Sequence, residues 1–472
     1  GEPVRAVRGA LGMNRMPDLP REGVTAAVDA TALDADAWIA FAKTLRGTPA
    51  SAAAPAAAAT PSAALPRQAP RIDLASFAPK RFALHFGTLK LIKRNWENVI
   101  VGASHVDDLW QANVASNQVS GYLSWSPHGD AGAGQAGAPG GAGVLNARLA
   151  KLVVPDSADH DLVGGAMTMP TDRAMPAIDL VVDQVVARGH DIGRLQVNAH
   201  NFEENGVPVW QLDKLELANP AAKLTATANW RTSRRALARG ADEDDAPRRT
   251  VFDFKLAVDD AGALLDRVGL PRTVANGKGT LAGKVGWRGG PTAIDYPSLG
   301  GQLSLDLEHG QILKVDPGAA KLLGVLSLQG LARFLTLDFR DVIGKGLPFE
   351  TIEGTSQITN GIATTDDFRM ITAPARVTVK GKVDLAHETQ DLHAHIAPKV
   401  SASAAAIGAA VINPLLGLGV LAANLALSQT LSHAFAFDYV ITGSWAHPRI
   451  QRVGGDRGKM DRTPADADAA RP

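Results

Sequence analysis

Residues 223–230, KLTATANW, alternate between apolar and polar. Leu224, Ala226, Ala228 and Trp230 fall on one side, and Lys223, Thr225, Thr227 and Asn229 on the other. Successive side chains of a β-strand point to opposite faces, so the stretch reads as a strand with one dry and one wet face. Several similar stretches also end on tryptophan: GYLSW at Trp125, GKVGW at Trp287 and TGSW at Trp445. Further along, Leu303, Leu305 and Leu307 oppose Gln302, Ser304, Asp306 and Glu308. Val377, Val379, Val383 and Leu385 oppose Arg376, Thr378, Lys380, Lys382 and Asp384. Phe435, Phe437, Tyr439 and Ile441 line one side of FAFDYVITGSW. A sheet with one wet face is antiparallel in type.

The pattern repeats over longer distances. Residues 86–125 and 192–230 align with Gly87 on Gly193, Leu89 on Leu195, Trp110 on Trp210 and Trp125 on Trp230. Each reads as strand, turn, strand, turn, strand, an antiparallel meander. A second unit joins a strand to a short helix in 28–45, 254–269 and 310–335. Asp34, Asp259 or Asp260, and Asp316 stand where a helix N-cap belongs, and Pro317 suits a first turn.

Composition narrows the function. The 472 residues contain no cysteine, which removes disulfides, thiolate metal sites and thiol nucleophiles. A net charge of zero argues against a broad nucleic-acid surface. Residues 47–70 (Ala/Pro-rich), 127–143 (Gly/Ala-rich) and 231–250 (charged) read as solvated inserts, and 454–472 as a disordered tail. The sequence starts at Gly1 with a strand-like pattern already at 23–33, so it reads as the C-terminal part of a longer product.

Enzymatic signatures are missing. VIGKGLPF (342–349) lacks the rest of a phosphate-binding loop, and no Gly-x-Ser-x-Gly elbow occurs. His393 and His395 share the wet face of one strand with no third metal ligand nearby. Asp34 and Asp36 are explained by helix capping, and Asp366 and Asp367 read as a turn. No catalytic residue, metal or cofactor is expected.

From Val400 to Phe437 there is no Asp, Glu, Lys or Arg. The stretch has the length of a membrane span, but Pro414, Gly417 and Gly419 interrupt it. It divides at Pro414 into a short and a longer helix. Three readings stay open: an apolar helical pair packed across a sheet end, a hairpin touching or entering a membrane, or a true span. Ile407, Val411, Leu415, Leu416, Leu418, Val420 and Leu421 are the membrane-contact candidates.

So much apolar strand face must be buried on something. The helices are too few to cover it, which leaves a second sheet or a curved sheet whose concave face is an open apolar trough. Residues 315–354 and 358–386 resemble the C-terminal domain of the AsmA-like YhdP family, and the 192–230 meander resembles that family's upstream repeat. The resemblance implies envelope proteins of Gram-negative bacteria, held in the inner membrane by an N-terminal helix with their bulk in the periplasm. It also implies a long rolled β-sheet with a hydrophobic groove that moves phospholipid between inner and outer membranes and maintains the outer-membrane barrier.

The expected fold is therefore mainly β: an elongated, curved antiparallel sheet of repeated meanders forming a groove, with a few short helices and a C-terminal apolar helical pair. Residues 1–46 continue an upstream sheet, 47–70 link, 71–300 form the meander groove, 301–453 form the C-terminal domain and 454–472 the tail. Groove candidates are Leu195, Val197, Leu215, Leu217, Leu224, Leu303, Leu305, Leu307, Val377, Val379, Phe435 and Phe437. The expected partner is phospholipid, with membrane contact at the apolar segment and no nucleic acid. The alternative is a structural or assembly factor whose apolar face is closed by its own sheets.

Overall fold

The computed structural model describes residues 6–46, 77–91, 94–127, 143–154, 175–232, 248–313, 346–373, 375–398 and 436–453. The fold is mainly β, with twenty strands in one sheet. In chain order they begin with β1 (Arg8–Met13), β2 (Gly23–Asp34), β3 (Arg81–Leu91), β4 (Arg94–Val106), β5 (Leu109–Ala115), β6 (Val119–Ser126) and β7 (Val144–Val154). Next come β8 (Ala177–Ala187), β9 (His190–Glu204), β10 (Val207–Asn219), β11 (Ala222–Thr232), β12 (Arg248–Val258), β13 (Val274–Arg288) and β14 (Gly300–Ile312). The last are β15 (Leu347–Thr359), β16 (Ile362–Thr372), β17 (Ala375–Asp384), β18 (Thr389–Pro398), β19 (Phe437–Ser444) and β20 (Pro448–Val453). Two α-helices are described, α1 (Ala35–Arg46) and α2 (Ala261–Arg267).

The chain divides into two compact units. One holds residues 1–219, 223–252 and 289–294; the other holds 220–222, 253–288 and 295–472. In the first, every strand from β1 to β10 pairs with the next in sequence. In the second, the same holds from β13 to β20, all antiparallel.

The antiparallel expectation needs correcting at three pairs, β1–β2, β2–β3 and β7–β8, which are parallel. A parallel neighbour requires the chain to return to the end from which it started, usually over a dozen or more residues. Between β2 and β3 that return includes α1; between β7 and β8 it takes residues 155–176. The Ala/Pro-rich stretch 47–70 lies outside the described residues.

Local capping follows the sequence. Asp34 accepts the Ala37 N–H at 2.9 Å and opens α1, and Asp260, not Asp259, accepts the Ala263 N–H at 3.0 Å and opens α2. Asp316 lies outside the described residues. The two aligned meanders are not equal in strand count. Residues 86–125 run from β3 to β6, whereas 192–230 contain only β9, β10 and β11, so Trp110 and Trp210 stand on strands of different rank.

Asp366 and Asp367 do not form a turn. They lie inside β16, where the register against β17 shifts between Thr365 and Phe368. An extra residue at such a bulge bends the strand and re-aims its neighbours. Here Phe368 crosses over Gly354 of β15, and a Cβ on Gly354 would sit 2.8 Å from the Phe368 Cα. The ladder therefore requires glycine at 354 for reasons of space.

Each unit has its own apolar cluster. In the second unit Ile352, Met370, Val377, Leu392, Ile396 and Ile441 are almost wholly shut off from solvent. In the first, Val182, Leu180, Trp210, Leu212 and Trp230 are buried together. Truncating a fully buried side chain loses its transfer free energy and leaves a cavity. Met370→Ala is expected to lower stability by about 2–5 kcal/mol, read as a shift of the urea unfolding midpoint at unchanged slope.

Candidate functional site

The feature built from most of the chain is the dry face of each ladder. Residues directly opposite on paired strands project to the same side of the sheet. In the first unit one such row runs Phe82, Ala103, Ala112, Leu123, Ala147, Leu180, Val197 and Leu215, one residue from each strand of β3 to β10. A second row runs Leu84, Val101, Val114, Gly121, Leu149, Val182, Leu195 and Leu217. Neither row contains a charged or hydrogen-bonding side chain.

Cover along these rows is uneven. Val101, Ala103, Ala112, Val114 and Leu123 are only half-buried, whereas Ala147, Leu149, Leu180 and Val182 are buried. The face is thus more open over β4–β6 than over β7–β8. In the second unit the row Gly279, Leu307, Ile352, Met370, Val377, Ile396 and Phe437 crosses β13 to β19. Its middle is closed, with Met370 and Val377 both 0 % exposed.

The sequence-predicted candidates divide accordingly. Leu195, Val197 and Leu215 are half-buried and pack against the first cluster; Leu217 on β10 and Leu224 on β11 are also half-buried. Leu305, Leu307 and Phe437 are half-buried against the second cluster, Leu303 is half-buried beside them, and Val377 and Val379 are within it. Phe435 and the membrane-contact candidates Ile407, Val411, Leu415, Leu416, Leu418, Val420 and Leu421 lie outside the described residues. Sequence reading missed the centre of the second row. Ile352 and Met370 belong to strands whose alternation is broken by bulges, at Glu353/Gln357 and Thr365/Phe368. It also passed over the first unit's small residues, Ala103 and Ala112, whose apolarity shows only when the register is known.

Tryptophans mark one edge of the first unit's dry face. Trp110 and Trp125 are directly opposite each other on β5 and β6. Trp110 stacks on His105 at 4.4 Å and lies 5.6 Å from Phe82. The Trp210 indole N–H donates to the Pro176 carbonyl at 2.9 Å. Trp230 differs: its indole N–H is buried without an acceptor, and the Arg248 guanidinium lies 4.6 Å above its ring. No helix among the described residues is long and apolar enough to cross a membrane, and no group of three metal-ligating side chains occurs among them.

A continuous dry face without polar convergence suits an apolar ligand better than a reaction. Comparison with known proteins identifies the family. The family described as YhdP protein matches residues 1–450. The chain belongs to the YhdP family. It is 34% identical over 168 residues to a protein of Escherichia coli (strain K12) named "Intermembrane phospholipid transporter YhdP". That match covers 35% of this chain and 13% of the relative, so the chain spans a small part of the relative's length. No solved structure matches the chain.

The opposite face is polar and laced with ion pairs. Arg148 meets Asp179 at 2.6 Å, Lys223 meets Glu216 at 3.2 Å, and His395 meets Asp438 at 2.7 Å. His393 is exposed beside it, as its wet-face position implied. Such exposed pairs each contribute little to stability and mainly keep this face in water. Hydrogen bonds from the His387 backbone N–H and ring hold the Asp384 carboxyl below the usual carboxylate range. At Asp367 burial pushes upward but is outweighed by the Thr355 N–H and hydroxyl, both at 2.8 Å, so its carboxyl is also held low.

A depressed folded-state pKa gives stability that is present above the unfolded value, roughly 4, and lost as pH falls through the lower folded value. Asp367→Ala is expected to cost about 1 kcal/mol at neutral pH. The gap from wild type should close on acidification below roughly pH 4, followed by urea unfolding at stepped pH.

Proposed function

We propose that the dry faces of this chain bind phospholipid acyl chains and conduct them along a hydrophobic β-groove between the inner and outer membranes, so maintaining the outer-membrane barrier. The observation that carries this reading is the pair of uninterrupted apolar rows across β3–β10, left half-open over β4–β6. The name of the Escherichia coli relative supports phospholipid as the cargo. The same reading places the protein in the periplasm, attached to the inner membrane by an N-terminal anchor outside this chain, with no enzymatic step. Residues 400–437 are its membrane-facing end, and 71–300 and 301–453 are its groove and C-terminal domain.

The physics needs no catalyst. Each methylene moved from water into an apolar setting gains about 0.8 kcal/mol, so a fifteen-carbon tail exposed to water would cost about 12 kcal/mol. A row of side chains without a polar break keeps most of that gain at every step, while the headgroup stays off the apolar rows. Movement then proceeds between sites of nearly equal free energy. Leu195, Val197, Leu215, Leu217, Leu224, Leu303, Leu305, Leu307, Val377, Val379, Phe435 and Phe437 are the proposed lining.

One observation favours a second reading. Met370 and Val377 are fully covered, as expected of a structural or assembly factor whose apolar face is closed on itself. The two readings separate by the lipid retained after purification. Under the conduit reading, mass spectrometry finds phospholipid on the wild-type chain. Val114→Asp, on the half-open dry face, removes most of it with unfolding unchanged, whereas Asn113→Asp, on the wet face of the same strand, does not. A wild-type chain that carries no phospholipid supports the closed structural factor.

A further inference from the structure

We propose that Trp230, Thr232 and Arg248 form a phosphate-binding site at the edge of the dry face, taking the phosphodiester of a lipid whose tails lie along the apolar rows. The inference rests on the acyl-chain reading above and adds where the headgroup is held. Trp230 and Thr232 stand two residues apart on β11, so both project to the same face. They are 4% and 1% exposed, and neither the indole Nε1 nor the hydroxyl Oγ1 has a hydrogen-bond partner. Orphaned polar groups at this depth are rare and destabilising, so each calls for an acceptor.

Two polar groups of the same unit, Thr250 and Trp210, already have theirs. Thr250, equally buried, donates to the Gly289 carbonyl at 2.8 Å, and the Trp210 indole donates to Pro176. Arg231, on the other face of β11, pairs with Glu204 at 3.3 Å. Arg248 instead lies over the Trp230 ring, with no carboxylate partner among the described residues. Indole and guanidinium are donors without acceptor capacity, so together with a hydroxyl they call for an anion rich in lone pairs. A phosphate monoanion fits, and a guanidinium binds it through paired N–H groups. Asn229, whose Oδ1 is also buried without a partner, faces the other way on β11 and takes no part.

The test uses the full chain loaded from detergent micelles with dioleoyl phosphatidylglycerol or with dioleoylglycerol, which has the same tails and no phosphate. Bound lipid is counted by mass spectrometry, and a third arm adds excess inorganic phosphate. Arg248→Gln and the isosteric Thr232→Val are expected to lower phosphatidylglycerol retention, by about tenfold for Arg248→Gln. Dioleoylglycerol retention and the unfolding temperature should hold. Displacement of phosphatidylglycerol down to the dioleoylglycerol level by inorganic phosphate would support the site while assigning it to free phosphate. Unchanged phosphatidylglycerol retention in both variants, or an equal loss of dioleoylglycerol, would overturn the site and leave the acyl-chain reading standing. A wild-type chain retaining neither lipid would overturn that reading, and the site with it.

Discussion

A β-strand that offers water one face must keep its other face dry, and this chain does so on strand after strand. Backbone hydrogen bonds hold neighbouring strands in register, and register decides which side chains meet. In both ladders the result is rows of Leu, Val, Ile and Ala running across the strands. Uninterrupted apolar rows are costly to leave in water, at roughly 25 cal/mol for each Å². Their covering is therefore the central physical question of this fold.

The two units answer it differently. In the second, large side chains from β15 to β19 bury one another and leave the middle of the row closed. In the first, small residues on β4 and β5 leave the face partly open, and the rows are buried at β7 and β8. Small side chains make shallow contacts and leave room for an apolar ligand; large branched ones fill that room themselves. If a lipid tail occupies the dry face, the alanines and valines of β4–β6 are where it meets least competition.

Much of this was legible from alternation alone. The alternation of Leu303, Leu305 and Leu307 was legible because β14 is regular from 302 to 308, and that of KLTATANW because β11 is regular over that stretch. Alternation fails where a bulge adds a residue. At Asp366–Asp367 a hydrophilic pair inside a strand imitates a turn, and the fully buried Met370 beyond it was missed. The parallel returns before β3 and β8 were hidden as well, since the pairing direction depends on where a connection ends. Thr232 and Arg248 lay within what read as a charged insert, although both belong to strands.

The polar side of the account rests on the same alternation. Lys, Asp and His at alternate positions form exposed pairs whose work is to keep one face wet, while the bound backbone carries the sheet. The most direct measurement is site-specific photo-crosslinking along β14, with a photoreactive residue placed in turn at each position from 302 to 308 in cells making phospholipid. The account predicts lipid adducts at 303, 305 and 307 and none at 302, 304, 306 and 308. Adducts without that period, or none at the leucine positions, would contradict it.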